Sequence, residues 1–258
     1  QPEALSYSHR PLWDQLEDGI RSFELDVRAR RNRFTITHVP LVDNRGPHPD
    51  FSLALREIVL WSERRPGHVP IVVLLELKSD YMFLDPRLVD WDAQVLERLD
   101  QVIRAQIPPE RLLTPDELRR GRDSLSAVPE DGWPVLGEVR DRILVVMHTN
   151  AGLDRVYVDD DASLSGRAMF TSSGPESLRP DALFVIHNTP EPAAIQALVD
   201  SGHMVRTRAD AETVIDPVQR RAALQSAAQI VSTDYPPGHP NEPGKTPAEF
   251  GPGMTLFQ

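Results

Sequence analysis

The residues with the clearest chemical potential lie in one short stretch. It reads Phe23-Glu24-Leu25-Asp26-Val27, then a basic run Arg28-Ala29-Arg30-Arg31-Asn32-Arg33, then Phe34-Thr35-Ile36-Thr37-His38-Val39-Pro40. Successive side chains on a β-strand alternate faces, so Glu24 and Asp26 point the same way. Two carboxylates on one face repel each other unless a cation or a proton lies between them. A third carboxylate, Glu76, shares a face with Lys78 at the end of the apolar run Ile71-Val72-Val73-Leu74-Leu75. Hard oxygen donors beside a histidine suit Ca²⁺, with Mg²⁺ as the alternative, and chemistry on a phosphate ester. Glu24, Asp26 and Glu76 are therefore the expected metal ligands. His38 is the expected acid/base group, because an imidazole titrates near neutrality, and Lys78 is the expected contact to phosphate. The plainer alternatives stay open at this level: carboxylates paired with Lys78 or an arginine without any metal, His38 as a satisfied core histidine, and Arg28 to Arg33 as a solvated turn.

These residues need a frame that brings strand ends together. Short apolar runs at Phe23–Val27, Phe34–Val39, Ile71–Leu77, Ile143–Met147, Ala182–Ile186, His203–Thr207 and Gln229–Thr233 are the predicted strands. Helical periodicity marks Phe51–Arg64, Leu88–Ile107, Ala193–Ser201 and Asp216–Ala228, and Pro11–Gly19 forms a helix leading into the first strand. Strand–helix alternation means a parallel sheet with helices outside, and no glycine-rich nucleotide loop follows any strand. A closed (β/α)₈ barrel needs eight strands, so one strand is expected to be absent upstream of Phe23. In such a barrel the site lies at the carboxyl ends of the strands, where Arg206, Arg208 and Tyr235 also fall and are expected to contact substrate. The barrel is expected over residues 1–236, with a Pro/Gly-rich irregular extension over 237–258 and a rim insertion over Arg111–Pro134.

The whole chain has 258 residues, 40% of them hydrophobic, which is enough for one large α/β core. A net charge of −11 argues against non-specific nucleic-acid binding but leaves room for a local basic patch on a membrane surface. No apolar run is long enough to span a bilayer as a helix. Cysteine is absent, which removes disulfides, thiolate metal sites and cysteine nucleophiles.

The motifs carry a resemblance. Tyr7-Ser8-His9-Arg10-Pro11-Leu12, Glu24-Leu25-Asp26-Val27, Thr37-His38-Val39-Pro40 with Asp43, and Trp61-Ser62 with Pro66-Gly67-His68-Val69-Pro70 belong to it. So do Leu75-Glu76-Leu77-Lys78, Ser163-Leu164 with Gly166-Arg167, Val205-Arg206-Thr207-Arg208-Ala209-Asp210 and Val231-Ser232-Thr233-Asp234-Tyr235-Pro236. In order and spacing they resemble the bacterial and fungal Ca²⁺-dependent phosphatidylinositol-specific phospholipase C family. The resemblance implies a (β/α)₈ TIM barrel of the phospholipase C-like phosphodiesterase type. It implies cleavage of an inositol phospholipid by internal attack of the inositol 2-hydroxyl, with calcium lowering that hydroxyl's pKa. Glu24, Asp26 and Glu76 match the family's acidic ligands, and His38 its second catalytic histidine. The family's first histidine, in a His-Asn-Ser-Tyr-like motif on the first strand, has no match here. The expectation is therefore a chain without that strand, one histidine and one metal ligand short, and weakly active. A phospholipid or soluble phosphodiester substrate, peripheral membrane contact, a monomer, and a secreted or cell-envelope location complete the reading. The alternatives are a glycerophosphodiester phosphodiesterase, which uses a similar Glu-x-Asp strand, and a non-catalytic barrel that binds lipid headgroups.

Overall fold

The computed structural model describes residues 10–40, 49–128, 132–150, 152–211, 214–237 and 246–248. The segment Tyr7-Ser8-His9, Asp43 and most of the Pro/Gly-rich tail lie outside them. Strands β1 (Ser22–Ala29), β2 (Phe34–Ile36), β3 (Ile71–Leu77), β4 (Ile143–Met147), β5 (Phe170–Ser173), β6 (Phe184–Ile186), β7 (Met204–Arg208) and β8 (Ile230–Ser232) form one sheet. Their order is β2-β1-β3-β4-β5-β6-β7-β8. β2 is antiparallel to β1, and every other neighbouring pair is parallel.

Two features differ from the sequence reading. The Phe34–Val39 strand is not a member of the parallel set: it is the short return arm of a hairpin on the last residues of β1, pairing Val27 with Ile36 and Ala29 with Phe34. The strand Phe170–Ser173 was not foreseen, because Thr171, Ser172 and Ser173 read as loop, yet all three are fully buried. Their hydroxyls are what burial demands partners for: Thr171 Oγ1 donates to the Asp181 carboxylate at 2.7 Å and Ser172 Oγ to the Met147 carbonyl at 2.8 Å.

The sheet is curled. β1 and β7 stand five places apart in the strand order, about 24 Å in a flat sheet at about 4.8 Å per strand. Yet the Arg206 guanidinium on β7 bonds directly to the Glu24 carboxylate on β1. Only curvature toward a barrel brings those side chains together. Among the described residues β8 pairs with β7 alone, so the ring of strands is not closed.

The helices form where the sequence supplies start signals. After the short α1 (Leu12–Glu17), Asp50 caps α2 (Phe51–Arg64) by accepting from Ser52 and Leu53 N–H, and Asp92 caps α3 (Ala93–Gln106) by accepting from Val95 N–H. The buried residues Phe51, Ala54, Leu55, Ile58 and Val59 on α2, and Val95, Leu96, Leu99 and Ile103 on α3, keep helical spacing and join the main core with β1, β3 and β4. The Arg111–Pro134 stretch is not a rim insertion. Arg111 and Leu113 hydrogen-bond to Ile143 at the start of β4, and Leu112, Leu113, Leu118, Leu125 and Val128 are buried, so it plugs the end opposite the site. Near the tail, Ala248 packs with Ala209 and Ala223, while Arg220 donates to the Thr246 and Pro247 carbonyls. Among the described residues no helix is long and apolar enough to cross a membrane.

One buried acid makes the core pH-sensitive. Asp100 on α3 is 3% exposed and accepts a 2.6 Å hydrogen bond from the Tyr157 hydroxyl. Burial pushes its carboxyl up to about 6, against the bond from Tyr157 and the charge of Arg167. The unfolded value is about 3.9, so the folded state holds this proton more tightly. Its contribution to stability is therefore full below about pH 4, declines as pH rises through about 6, and is flat beyond. Urea melts across that range should show the decline, and Asp100→Asn, which keeps the bond to Tyr157, should remove this part of it.

Candidate active site

The carboxyl ends of the parallel strands gather the polar residues that the strand interiors exclude. Phe23, Leu25 and Val27 of β1 are buried in the core, which turns Glu24, Asp26 and Arg28 to the opposite face. Asp26 is in register with Glu76 on β3, so their carboxylates stand side by side. Lys78 Nζ lies 2.7 Å from Glu76 Oε1 and 3.4 Å from Asp26 Oδ1. Glu24 is held instead by Arg206, whose other arm donates to Asn188 Oδ1 at 2.6 Å.

The electrostatics follow from this pairing. Burial pushes the Asp26 carboxyl up to about 6; the positive charge of Lys78 opposes it, and the neighbouring Glu76 adds to it. Glu76 moves the other way. Burial would raise it, but the hydrogen bond and charge of Lys78, with His148 nearby, hold it below the ordinary value. Two carboxylates share one ammonium, and of the two Asp26 is the readier to take up a proton. Lys78 is itself raised, because burial is outweighed by Glu76 and Asp26.

Two imidazoles flank the pair. His38 lies exposed in the turn just past β2, close enough to Asp26 for their charges to interact. His148 was missed by the sequence reading. It follows β4 directly, its N–H bonds to the Leu75 carbonyl, and the β3–β4 register puts it beside Glu76 on the same face. The signal was present: His148 ends the apolar run Ile143–Met147 just as Glu76 ends β3.

Arg28 corrects the expectation of a solvated basic turn. It is 1% exposed, and its guanidinium donates to the Thr37 carbonyl at 3.0 Å, the His38 carbonyl at 2.6 Å and the Asp80 carbonyl at 2.5 Å, with Asp80 Oδ1 at 2.7 Å. One buried cation thus ties the His38 turn to the loop after β3. The expected substrate contacts divide. Arg206 is 5% exposed and committed to Glu24 and Asn188. Arg208, two residues on along β7 and half-buried, makes no ion pair among the described residues. Tyr235 is 4% exposed, with its backbone bonded to Thr233 and Ala248, so its ring is packed away and not presented to a substrate.

Among the described residues no three acidic or imidazole side chains converge to hold a metal ion. The three-carboxylate chelate expected from the sequence is not assembled, because Glu24 has turned to Arg206. The Asp26–Glu76 pair nonetheless fits a hard divalent cation: two adjacent carboxylates in a partly buried setting share only one ammonium, and a larger positive charge would neutralise both.

The family model for Ca²⁺-dependent phosphoinositide phospholipase C matches residues 28–250. This chain belongs to that family. The matched span holds His38, Glu76, Lys78, His148 and Arg206, while Glu24 and Asp26 lie immediately before it. The calcium-dependent phosphoinositol-specific phospholipase C of a Pseudomonas species shares the fold with a TM-score of 0.66 at 17% identity, covering 89% of this chain and 87% of that one. The Ca²⁺-dependent enzyme of Streptomyces antibioticus gives 0.65 at 16% identity, over 89% and 91%. Comparison with the sequences of characterised proteins gives no match. The family assignment sets aside the glycerophosphodiesterase alternative. Its dependence is on calcium, and nothing favours magnesium.

The role of Arg28 in this phospholipase C-family site is testable. Arg28→Met leaves the Thr37, His38 and Asp80 carbonyls without their charged donor, which should lower stability by about 1–3 kcal/mol in urea denaturation. Hydrogen exchange should quicken in the turn after β2 and the loop after β3 together. Unchanged exchange in both would mean that Arg28 merely fills space.

Proposed function

We propose that this chain cleaves the phosphodiester of an inositol phospholipid at the Asp26–Glu76–Lys78 cluster, with His38 and His148 as its proton-transfer groups. The observation that carries the reading is the placement of two imidazoles, one beside each carboxylate of a pair that shares a single cation. Internal attack by the inositol 2-hydroxyl needs a base to take that proton and an acid to protonate the leaving glycerol oxygen. His38 sits on a main chain fixed by Arg28, and His148 on the end of a buried strand, so both rings are positioned by rigid neighbours. Asp26 and Glu76, with Glu24 next along the same strand face, would hold the calcium on which the family depends. Bound there, the ion supplies Lewis acidity to the attacking hydroxyl and to a phosphate oxygen. Arg208 is the cation placed to meet the headgroup, since Arg206 and Lys78 are already engaged.

Calorimetric titration with calcium should show a site that Asp26→Asn and Glu76→Gln each weaken strongly; equal affinity in both variants would make the carboxylate pair structural. Turnover of phosphatidylinositol should fall about 10²–10⁴-fold in His38→Ala and in His148→Ala with the fold intact. Normal turnover in either variant removes that histidine from the chemistry. Arg208→Met should raise KM for the same lipid while leaving the melting temperature in place; the reverse pattern would make Arg208 a structural residue.

A further inference from the structure

Three residues beyond Lys78, the chain turns two aromatic rings out into solvent. Tyr81 is 48% exposed and Phe83 is 82% exposed, the largest exposure of any bulky apolar side chain among the described residues. Their ring centres lie 6.4 Å apart on a 3₁₀ turn over Met82–Leu84. This turn is not loose coil. On one side Asp80 is clamped by Arg28, the same guanidinium that holds the His38 carbonyl. On the other, Asp85 is 1% exposed and accepts from Arg30 at 2.7 Å and from Arg87 at 2.8 Å. Behind it, Val89 N–H bonds to the Ala29 carbonyl, and Trp91 Nε1 to the Lys78 carbonyl. The fold therefore holds Phe83 outward, at the mouth of the site, on a pinned platform.

The segments that build this platform are net basic although the chain is acidic overall: residues 28–33 and 78–92 hold Arg28, Arg30, Arg31, Arg33, Lys78 and Arg87 against Asp80, Asp85, Asp90 and Asp92. Arg31 and Arg33, in the turn that follows Arg30, are exposed and form no ion pair among the described residues. The Arg87 side chain is 65% exposed. Exposed aromatic tips on a platform tied to exposed arginines match the boundary between lipid headgroups and acyl chains, where rings bury and cations meet phosphate. A second copy of the chain is a poorer occupant. Two aromatic side chains bury about 150–250 Å² each, short of the roughly 800 Å² per partner that a specific interface needs.

We propose that Tyr81 and Phe83, with Arg31, Arg33 and Arg87, form a docking tip that seats the mouth of the site on an anionic phospholipid bilayer. The inference rests on the reading that the substrate is a membrane lipid, and it adds which surface meets the membrane. Binding alone tests it, without turnover. The full chain is sedimented, in chelator, with vesicles of phosphatidylcholine and with vesicles of phosphatidylcholine mixed with phosphatidylserine. The wild-type chain should bind the mixed vesicles in preference. Phe83→Ser and the pair Arg31→Glu with Arg33→Glu should each lower that binding by roughly tenfold or more. Val135→Ser should leave it unchanged, since Val135 is 67% exposed but precedes β4 at the opposite end of the sheet. Equal binding of both vesicle types, wild-type binding in the two tip variants, or an equal loss in Val135→Ser would overturn the proposal. So would a change in self-association, rather than vesicle binding, in Phe83→Ser. Vesicle binding without any cleavage of phosphatidylinositol would leave the tip standing and sink the catalytic reading. Cleavage in detergent micelles without vesicle binding would do the opposite.

Discussion

The contact between Arg206 and Glu24 is the constraint on which the rest of the site depends. It joins residues 182 positions apart in sequence, on strands that only a curled sheet can bring together. Arg206 could not stand alone. A guanidinium that is 5% exposed needs a counter-charge, and Glu24 supplies it. Asn188 completes the pairing from just past β6, so three strands are tied by one charged knot. With Glu24 committed there, the remaining carboxylates, Asp26 and Glu76, are left to share Lys78. Burial, with the charge of Glu76 added, raises the Asp26 carboxyl against the pull of Lys78, and the incomplete neutralisation of the pair suits it to a stronger cation.

Arg28 plays the corresponding part near the end of β1. A cation with almost no exposure survives because every direction it points in ends on an oxygen: two carbonyls of the His38 turn, and the carbonyl and carboxylate of Asp80. The Asp80 carboxylate is half-exposed and contributes little on its own, whereas the buried guanidinium would be costly to leave unmet. The chemistry of the His38 turn and the shape of the Tyr81–Phe83 rim therefore share one anchor. A change at either loop is felt at the other through a single guanidinium.

Much of this was legible in the sequence, and the misses have physical causes. Strand alternation placed Glu24 and Asp26 on one face, and the apolar run before Glu76 placed it at a strand end beside Lys78. The salt-bridge alternative, left open at that level, is what the side chains adopt with Lys78 and Arg206. The count of seven parallel strands was reached through two offsetting differences: β2 was included although it runs antiparallel, and β5 was omitted because its hydroxyl residues read as loop. The Arg28–Arg33 run misled because local composition cannot tell which arginine folds inward. Arg28 is still on β1, where alternation sends it to the same face as Asp26, while Arg31 and Arg33 have left the strand and are exposed. Tyr235 misled for the opposite reason: it lies past the end of β8, but Ala248 returns to cover that region.

The charge distribution gives the acidic composition a function that its sum hides. A net charge of −11 repels an anionic bilayer from most directions of approach. The corner proposed as the docking tip, with Arg31, Arg33 and Arg87, holds more cations than acids, and Asp85, the acid that binds Arg87, is buried beneath it rather than displayed. Repulsion elsewhere and attraction here act as a torque. A molecule nearing such a surface turns its Phe83 corner inward before any ring inserts. That corner lies next to Lys78 and His38, so the orientation that electrostatics favours is also the one that presents the site to a headgroup. A uniformly basic protein would bind more tightly but with no preferred face. An acidic body with one basic, aromatic corner gives up affinity for orientation, which a phosphodiesterase acting on a membrane lipid needs at every encounter.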